Sequence, residues 1–380
     1  MDASVNRIPS SKDERAYCIS LRNHNQHVTD AEYSLNELKM LIKTAGGIIV
    51  GSKIVRRDKL DPAYIVGKGF LDKLRKIVSD NDIKLLVFDL NNLKPAQVRN
   101  LEETLKCRVI GRTEVILDIF ARRARSSEAR IQVELAQLKY ILPRLKGLGG
   151  VLSRLGGGIG TRGPGEKMLE TDRRHIQKRI STLNKKLDKI ASHRKLIRKN
   201  RSSEILGAVV GYTNAGKSTL INHLAKDDLF VENRLFATLD AFTREVYIEP
   251  GSKVLLTDTV GFIRNLPVDL IESFKSTLEE IHNADFLIHV IDINSPDIEE
   301  TITTVEKELV KLESNGKPII TFFNKADLVK SDDIIEGIAH KYDNSIVGSV
   351  FTGRGIDELM NSIKEIYHVL SAHSESKMLM

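Results

Sequence analysis

The stretch Val209–Leu220, VVGYTNAGKSTL, decides the reading of this chain: an apolar run, Gly211 and Gly216 with four residues between them, then Lys217, Ser218 and Thr219. Glycines at that spacing let the backbone curl until its N–H groups point at phosphate, and a following helix adds its positive N-terminus. Lys217 then neutralises the β- and γ-phosphates, and the Ser218 hydroxyl holds Mg²⁺. Such a pattern arises by accident in roughly one chain in a hundred of this length. Its flanks reduce those odds, because EILGAVV reads as a buried strand and KSTLINHLAK as a helix. A P-loop follows, with Gly211, Tyr212, Thr213, Asn214, Ala215, Gly216, Lys217, Ser218 and Thr219 as candidate nucleotide contacts.

Downstream, further parts of a GTPase come in order. LFATLDAFTREVYIEP carries Phe236 as a nucleotide contact and Thr238, placed where a switch loop brings a hydroxyl to Mg²⁺ and the γ-phosphate. SKVLLTDTVGF ends an apolar strand with Asp258, a Mg²⁺ support, and Gly261, whose N–H can meet the γ-phosphate. PIITFFNKADLV supplies Asn324, Lys325 and Asp327. A carboxylate there accepts hydrogen bonds from guanine N1–H and the N2 amino group, which adenine does not offer. IVGSV places Ser349 and Val350 near the guanine O6. Lys217, Thr238 and Gly261 are the candidate catalytic residues, and Ser218, Thr238 and Asp258 the candidate metal ligands. Many small GTPases carry a water-orienting glutamine after the DxxG glycine. Here it is Phe262, so slow intrinsic hydrolysis is expected unless another group or a partner positions the water. Asn214 occupies the position at which cation-dependent GTPases hold K⁺, which makes K⁺ stimulation a hypothesis beside a plain loop hydrogen bond.

The chain has 380 residues, enough for two or three domains. Its apolar fraction of 41% includes no run of membrane-spanning length, and the first residues lack a secretory signal. Cys18 and Cys107 have neither the number nor the spacing of a disulfide framework or metal site, which fits a cytoplasmic protein. The net charge of +7 hides an asymmetry: residues 1–200 carry +19, and residues 201–380 carry −12. A basic half joined to an acidic nucleotide-binding half suggests a nucleic-acid-facing arm on a switch, against the plainer reading of solvated helix faces.

From Ala16 to about Arg112, AYCISL, GIIVGSKIV, KLLVFDL and CRVIGR read as strands alternating with three helices, which implies a small parallel α/β sheet. Gly67 and Gly69 read as a tight connection into a helix, with a phosphate turn as the weaker alternative. From about Thr113 to Lys146 the pattern is continuously helical, with Ile131, Leu135, Leu138, Leu142 and Leu145 on one stripe. A second helix from about Glu166 to Arg201 carries Ile176, Ile180, Leu183, Leu187, Ile190 and Ile197. Two such stripes pack most simply as an antiparallel hairpin with basic outer faces. Between them, nine of the 21 residues Lys146–Glu166 are glycine, with Arg154 and Arg162 as candidate RNA contacts against the reading of a passive linker.

The expected architecture is α/β: a leader 1–15, an N-terminal α/β domain 16–112, a two-helix linker 113–203 with glycine-rich loop 146–166, a Ras-like G domain 204–370, and a flexible tail 371–380. With these residues in view, the chain resembles the HflX family of translation-factor-class GTPases over almost its whole length. GGGIGTRGPGE followed by LETDRR, LDIFARRAR, QVELAQLKYILPRL, GYTNAGKSTL, FATLD, DTVGFI and NKAD look like that family's signatures. The resemblance implies binding of GTP and GDP, and association with the large ribosomal subunit through the N-terminal region and ribosomal RNA. It also implies a link to splitting or rescuing stalled ribosomes. Three departures stand out: Ala241 and Phe242 for the usual Pro and Thr, Lys167 and Met168 for the usual Thr and Gln, and Val350 for Ala. The family's frequent further C-terminal domain is expected to be absent, and a monomer is expected. Two other classes remain open, an NTP-dependent RNA remodeller and a GTP-dependent protein scaffold.

Overall fold

The computed structural model describes residues 14–145, 164–199, 204–226, 235–236, 238–264, 267, 275–329, 331–342 and 344–378. They divide between two compact units, one drawn from Met1–Arg122, Arg130–Leu187 and Pro267–Leu270, the other from Arg123–Ala129, Asp188–Leu266 and Ile271–Met380. The candidate RNA contacts Arg154 and Arg162 lie outside the described residues, as does most of the glycine-rich stretch.

In the first unit, β1 (Arg15–Arg22), α1 (Val28–Thr44), β2 (Ile48–Arg56), α2 (Lys68–Asp80), β3 (Leu85–Phe88), α3 (Pro95–Leu105), β4 (Arg108–Gly111) and α4 (Arg112–Arg123) follow one another. The strands form one parallel sheet in the order β2-β1-β3-β4. Fully buried strand residues such as Leu86, Val87 and Phe88 mark a sheet covered on both faces, so the pattern is a continuous apolar run rather than an alternation. Gly67 is the residue before α2 and has an ordinary extended backbone, in keeping with the tight-connection reading. At the end of β3 and the start of α4, Arg112 is buried against Asp89 (3.1 Å) and Glu37. Ser34 and Ser20 also donate to Asp89, so the carboxylates are held by charge and hydrogen bond together.

The expected continuous helix after Thr113 is two helices, α4 and α5 (Ser127–Ile141), separated at residues 124–126. The cause is a cap: the Ser126 Oγ accepts the Ala129 N–H at 3.0 Å, which ends one helix and starts another. After the stretch outside the description comes α6 (Pro164–Lys199), beginning two residues before the expected Glu166. Leu135, Leu138 and Leu183 form a buried cluster flanked by Ile131, Ile176, Ile180 and Leu187, as the antiparallel-hairpin reading requires. Arg179 and Glu134 pair across it through two parallel contacts of 2.6 and 2.9 Å. Leu183→Ala is expected to destabilise this unit by about 2–4 kcal/mol, read as a shifted denaturant midpoint with unchanged slope.

The second unit holds β5 (Leu206–Gly211), α7 (Lys217–Ala225), β6 (Phe242–Glu249), β7 (Ser252–Asp258), α8 (Lys275–Asn283), β8 (Phe286–Asp292), α9 (Ile298–Lys311), β9 (Ile319–Asn324), α10 (Asp332–Lys341), β10 (Ser345–Val347) and α11 (Ile356–Met378). Its six strands run β10-β9-β8-β5-β7-β6, with β6 antiparallel to β7 and the other pairs parallel. The antiparallel pair turns at Pro250–Gly251, where Gly251 adopts φ +84°. Helix α11 runs to Met378, so the tail expected from residue 371 is helical through that residue. Leu359 and Ile363, both fully buried, carry the apolar face that makes α11 part of the core. Among the described residues no helix is long and apolar enough to cross a membrane. Both cysteines are free and buried, and burial pushes their thiols up, Cys18 to about 12 and Cys107 to about 11.

Candidate functional site

The carboxyl ends of β5, β7 and β9 converge on a cavity of about 450 Å³, a size suited to a nucleotide. Its phosphate end is the turn between β5 and α7. Gly216 has φ +100°, and a Cβ there would lie 2.2 Å from the Asn324 amide nitrogen, so only glycine fits. Gly261 lies against the same turn: a Cβ would come within 2.8 Å of both Lys217 Nζ and Thr213 Cα. Two backbone bonds fix this approach, Phe262 N–H to Gly211 O (3.1 Å) and Thr213 N–H to Phe262 O (2.8 Å). The Phe262 ring packs into the core with Val210, Ile281 and Leu309. It therefore takes no part in orienting water.

Lys217 opens α7, and its ammonium donates to Gly211 O (3.2 Å) and Tyr212 O (2.9 Å). Burial pushes its pKa down to about 8, with Asp258 opposing. Beneath it on β8 lies His289, which burial and the Lys217 charge bring down to about 4, so its imidazole is neutral at physiological pH. Spacing arguments missed His289, because only the pairing of β8 with β5 places it there. An unfolded lysine holds its proton to about 10.4, so between roughly pH 8 and 10 the unfolded chain binds more protons here. This group alone then makes the ligand-free protein more stable as pH rises through that window. Phosphate beside Lys217 would restore its charge. GDP binding is therefore expected to take up close to one proton near pH 9 and almost none near pH 7, measured calorimetrically in buffers of different ionisation enthalpy.

Three of the expected metal ligands meet beside Lys217. Ser218 Oγ donates to Asp258 Oδ2 at 2.5 Å, Thr238 Oγ1 to the same oxygen at 2.8 Å, and the two hydroxyls are 2.7 Å apart. Asp258 Oδ1 is buried with no hydrogen-bond partner among the described residues. Burial raises the Asp258 pKa, which Lys217 and the two hydroxyls oppose. A cluster of hard oxygen donors with one oxygen unsatisfied fits Mg²⁺.

At the other end, Asp327 and Ser349 face each other, the Ser349 hydroxyl donating to Asp327 Oδ1 at 2.5 Å. Asn324 braces the pocket, its amide donating to Ala215 O (2.9 Å) and accepting the Val350 N–H (3.1 Å). Lys325 donates to Asn214 O (2.8 Å) and pairs with Asp292 (2.7 Å). Thr213, Asn214, Thr219 and Phe236 line the cavity, while Gly211, Tyr212 and Ala215 support it from behind. The Tyr212 hydroxyl, for example, accepts the Arg264 N–H at 2.8 Å. Among the lining residues not foreseen are Leu328 and Phe351, 60% and 90% exposed, apolar surfaces suited to a planar base. They follow recognised motifs but belong to none, so spacing gave no signal for them.

Three family models match in series: a GTP-binding GTPase N-terminal model over residues 32–121, a middle-region model over 123–201, and a 50S ribosome-binding GTPase model over 207–325. A curated GTPase HflX of Caldanaerobacter subterraneus subsp. tengcongensis is 49% identical over 335 residues, covering 88% of this chain and 77% of that protein. The GTPase HflX of Escherichia coli K12 is 39% identical, covering 87% and 78%. A crystal structure of the SsGBP and GDP complex superposes with TM-score 0.51 at 25% identity, covering 94% of this chain and 99% of that one. With a P-loop, a serine–threonine–aspartate cluster and a carboxylate-walled base pocket in one cavity, and relatives of this identity across most of its length, the chain belongs to the HflX family of GTPases.

Proposed function

We propose that this GTPase binds the large ribosomal subunit, that its nucleotide state sets that affinity, and that it acts in splitting or rescuing stalled ribosomes in the cytoplasm. The observation that carries the nucleotide chemistry is the single cavity with Lys217 and the Ser218–Thr238–Asp258 cluster at one end and Asp327 at the other. Ser218, Thr238 and Asp258 would hold Mg²⁺, which neutralises charge developing on the phosphates. Lys217 and the turn's N–H groups stabilise the same charge, and Gly261 allows the close approach. Asp327 selects guanine, with Leu328 and Phe351 flanking the ring.

The partner reading is supported by the description of the matched G-domain model, 50S ribosome-binding GTPase, and by the +19 charge of residues 1–200. Asn214, which lines the same cavity as Lys217, supports a K⁺ role. Steady-state GTP hydrolysis with and without purified large subunits, in K⁺ and in Na⁺, tests both. Stimulation by subunits is expected, and it should be larger in K⁺. Equal turnover with and without subunits would refute the partner, and equal turnover in the two salts would refute the K⁺ role.

A further inference from the structure

Asp240 lies two residues after Thr238, before β6 begins. Its carboxylate accepts three hydrogen bonds from one place: the Arg125 N–H (3.1 Å), the Ser126 N–H (3.2 Å) and the Ser126 hydroxyl. These donors are the break between α4 and α5. Ser126 also caps α5 through the Ala129 N–H, so one hydroxyl joins the cap to the clamp. A second contact reaches the same break. Arg194 of α6 pairs with Glu128, in the first turn of α5, and with Glu280 of α8 at 3.4 Å. Among the described residues, α8 is the first helix after Gly261. The segment carrying Thr238 is thus tied directly to residues 125–126, and α8 is tied to Glu128 through Arg194. None of Asp240, Ser126, Glu128, Arg194 and Glu280 lines the nucleotide cavity, so these contacts are not needed to hold the ligand.

We propose that Asp240 is the positioning residue through which the break at residues 124–126 reports the occupancy of the γ-phosphate site. The proposal rests on the reading that nucleotide state controls affinity for the large subunit, and names the device that would do so. Thr238 and Asp240 are separated by at most about 7 Å of chain. Leu239 between them is buried, which leaves this short segment little slack. A shift of Thr238 therefore moves the Asp240 carboxylate or breaks its bonds to Arg125 and Ser126. Charge-assisted bonds to two backbone N–H groups are strong enough to carry the shift, and a break between helices is where the backbone can absorb it. Residues on the amino side of the break continue directly from α4.

Hydrogen–deuterium exchange of the full chain, loaded with GDP or a non-hydrolysable GTP analogue, reads the break directly. Peptides spanning residues 124–130 are expected to exchange differently in the two states of the parent. Asp240→Ala should abolish the difference while GDP affinity stays within about threefold. Ser126→Asp keeps a capping side chain but sets a carboxylate against Asp240, and should match Asp240→Ala. Asp240→Asn can still accept both N–H groups and should retain the difference. Co-sedimentation with large subunits gives the second readout. In Asp240→Ala the ratio of analogue-state to GDP-state affinity should fall to within about twofold of one. The inference is overturned if the parent shows no exchange difference at the break, or if Asp240→Ala keeps it. A parent whose subunit affinity ignores the nucleotide, with an exchange difference that Asp240→Ala removes, would overturn the proposed ribosomal function and uphold the clamp.

Discussion

Asp327→Asn is expected to weaken GTP binding by a factor on the order of 10²–10⁴ and to shift preference towards xanthosine triphosphate. Guanine presents two donors, N1–H and the N2 amino group, to a carboxylate that can only accept. An asparagine in the same position keeps one acceptor and turns the other atom into a donor. Ser349 already donates to one Asp327 oxygen, and an amide oxygen can still take that bond, which leaves the new N–H₂ facing the base. Guanine then meets a donor with a donor, whereas xanthine, with a carbonyl at C2, meets it with an acceptor. Competition against a fluorescent guanine nucleotide gives the affinities. Turnover of saturating xanthosine triphosphate should remain close to that of the parent with GTP, because Asp327 lies at the far end of the cavity from the phosphates. GTP affinity within about threefold of the parent would show that the carboxylate does not read the base.

Lys217→Met should lower kcat by about 10²–10³ without unfolding the protein. The lost charge is the one that faces the phosphates, and methionine keeps most of the stem's volume. The expected stability is less intuitive. In the ligand-free protein the ammonium is fully buried, and a pKa near 8 corresponds to about 3 kcal/mol of unfavourable burial at neutral pH. Its two bonds to the Gly211 and Tyr212 carbonyls return about 1 kcal/mol each. The ligand-free variant is therefore expected to melt no earlier than the parent at pH 7, while losing the stabilisation that GDP confers on the parent. A marked fall in melting temperature without nucleotide would mean that the buried ammonium supports the fold, contrary to this balance.

Much of the fold was legible because its signals are local. Strands β1–β4 and helices α1–α3 fall within a few residues of the apolar pattern, and the turn chemistry of Gly211–Ser218 is carried by adjacent residues. The hairpin was legible too, since the three- and four-residue spacing of Ile131, Leu135 and Leu138 on one helix, and of Ile176, Ile180, Leu183 and Leu187 on the other, dictates which faces meet. What escaped depends on tertiary partners. The pattern over residues 113–146 is helical on both sides of the break, and only Ser126 beside Glu128 hints at a cap. Nothing local says that Asp240 will sit there. Asn324 lines the cavity as its motif led one to expect, but that its amide also ties Ala215 to Val350 follows only from the order in which strands pair. The neutral state of His289 and the exposure of Phe351 likewise follow from neighbours far away in sequence.

The sheet order of the second unit also has a consequence in time. The phosphate turn is made from residues adjacent in sequence, between β5 and α7, and Phe262, Asn324 and Lys325 brace it from outside. The base-reading wall needs β9 and β10, which join the opposite edge of the sheet and arrive more than a hundred residues later in the chain. Contacts between near residues form sooner than contacts across long loops. A partly assembled domain therefore acquires a general affinity for phosphates before it can tell guanine from adenine. Discrimination appears with the last strand, so the ability to choose the base doubles as a report that the domain is complete.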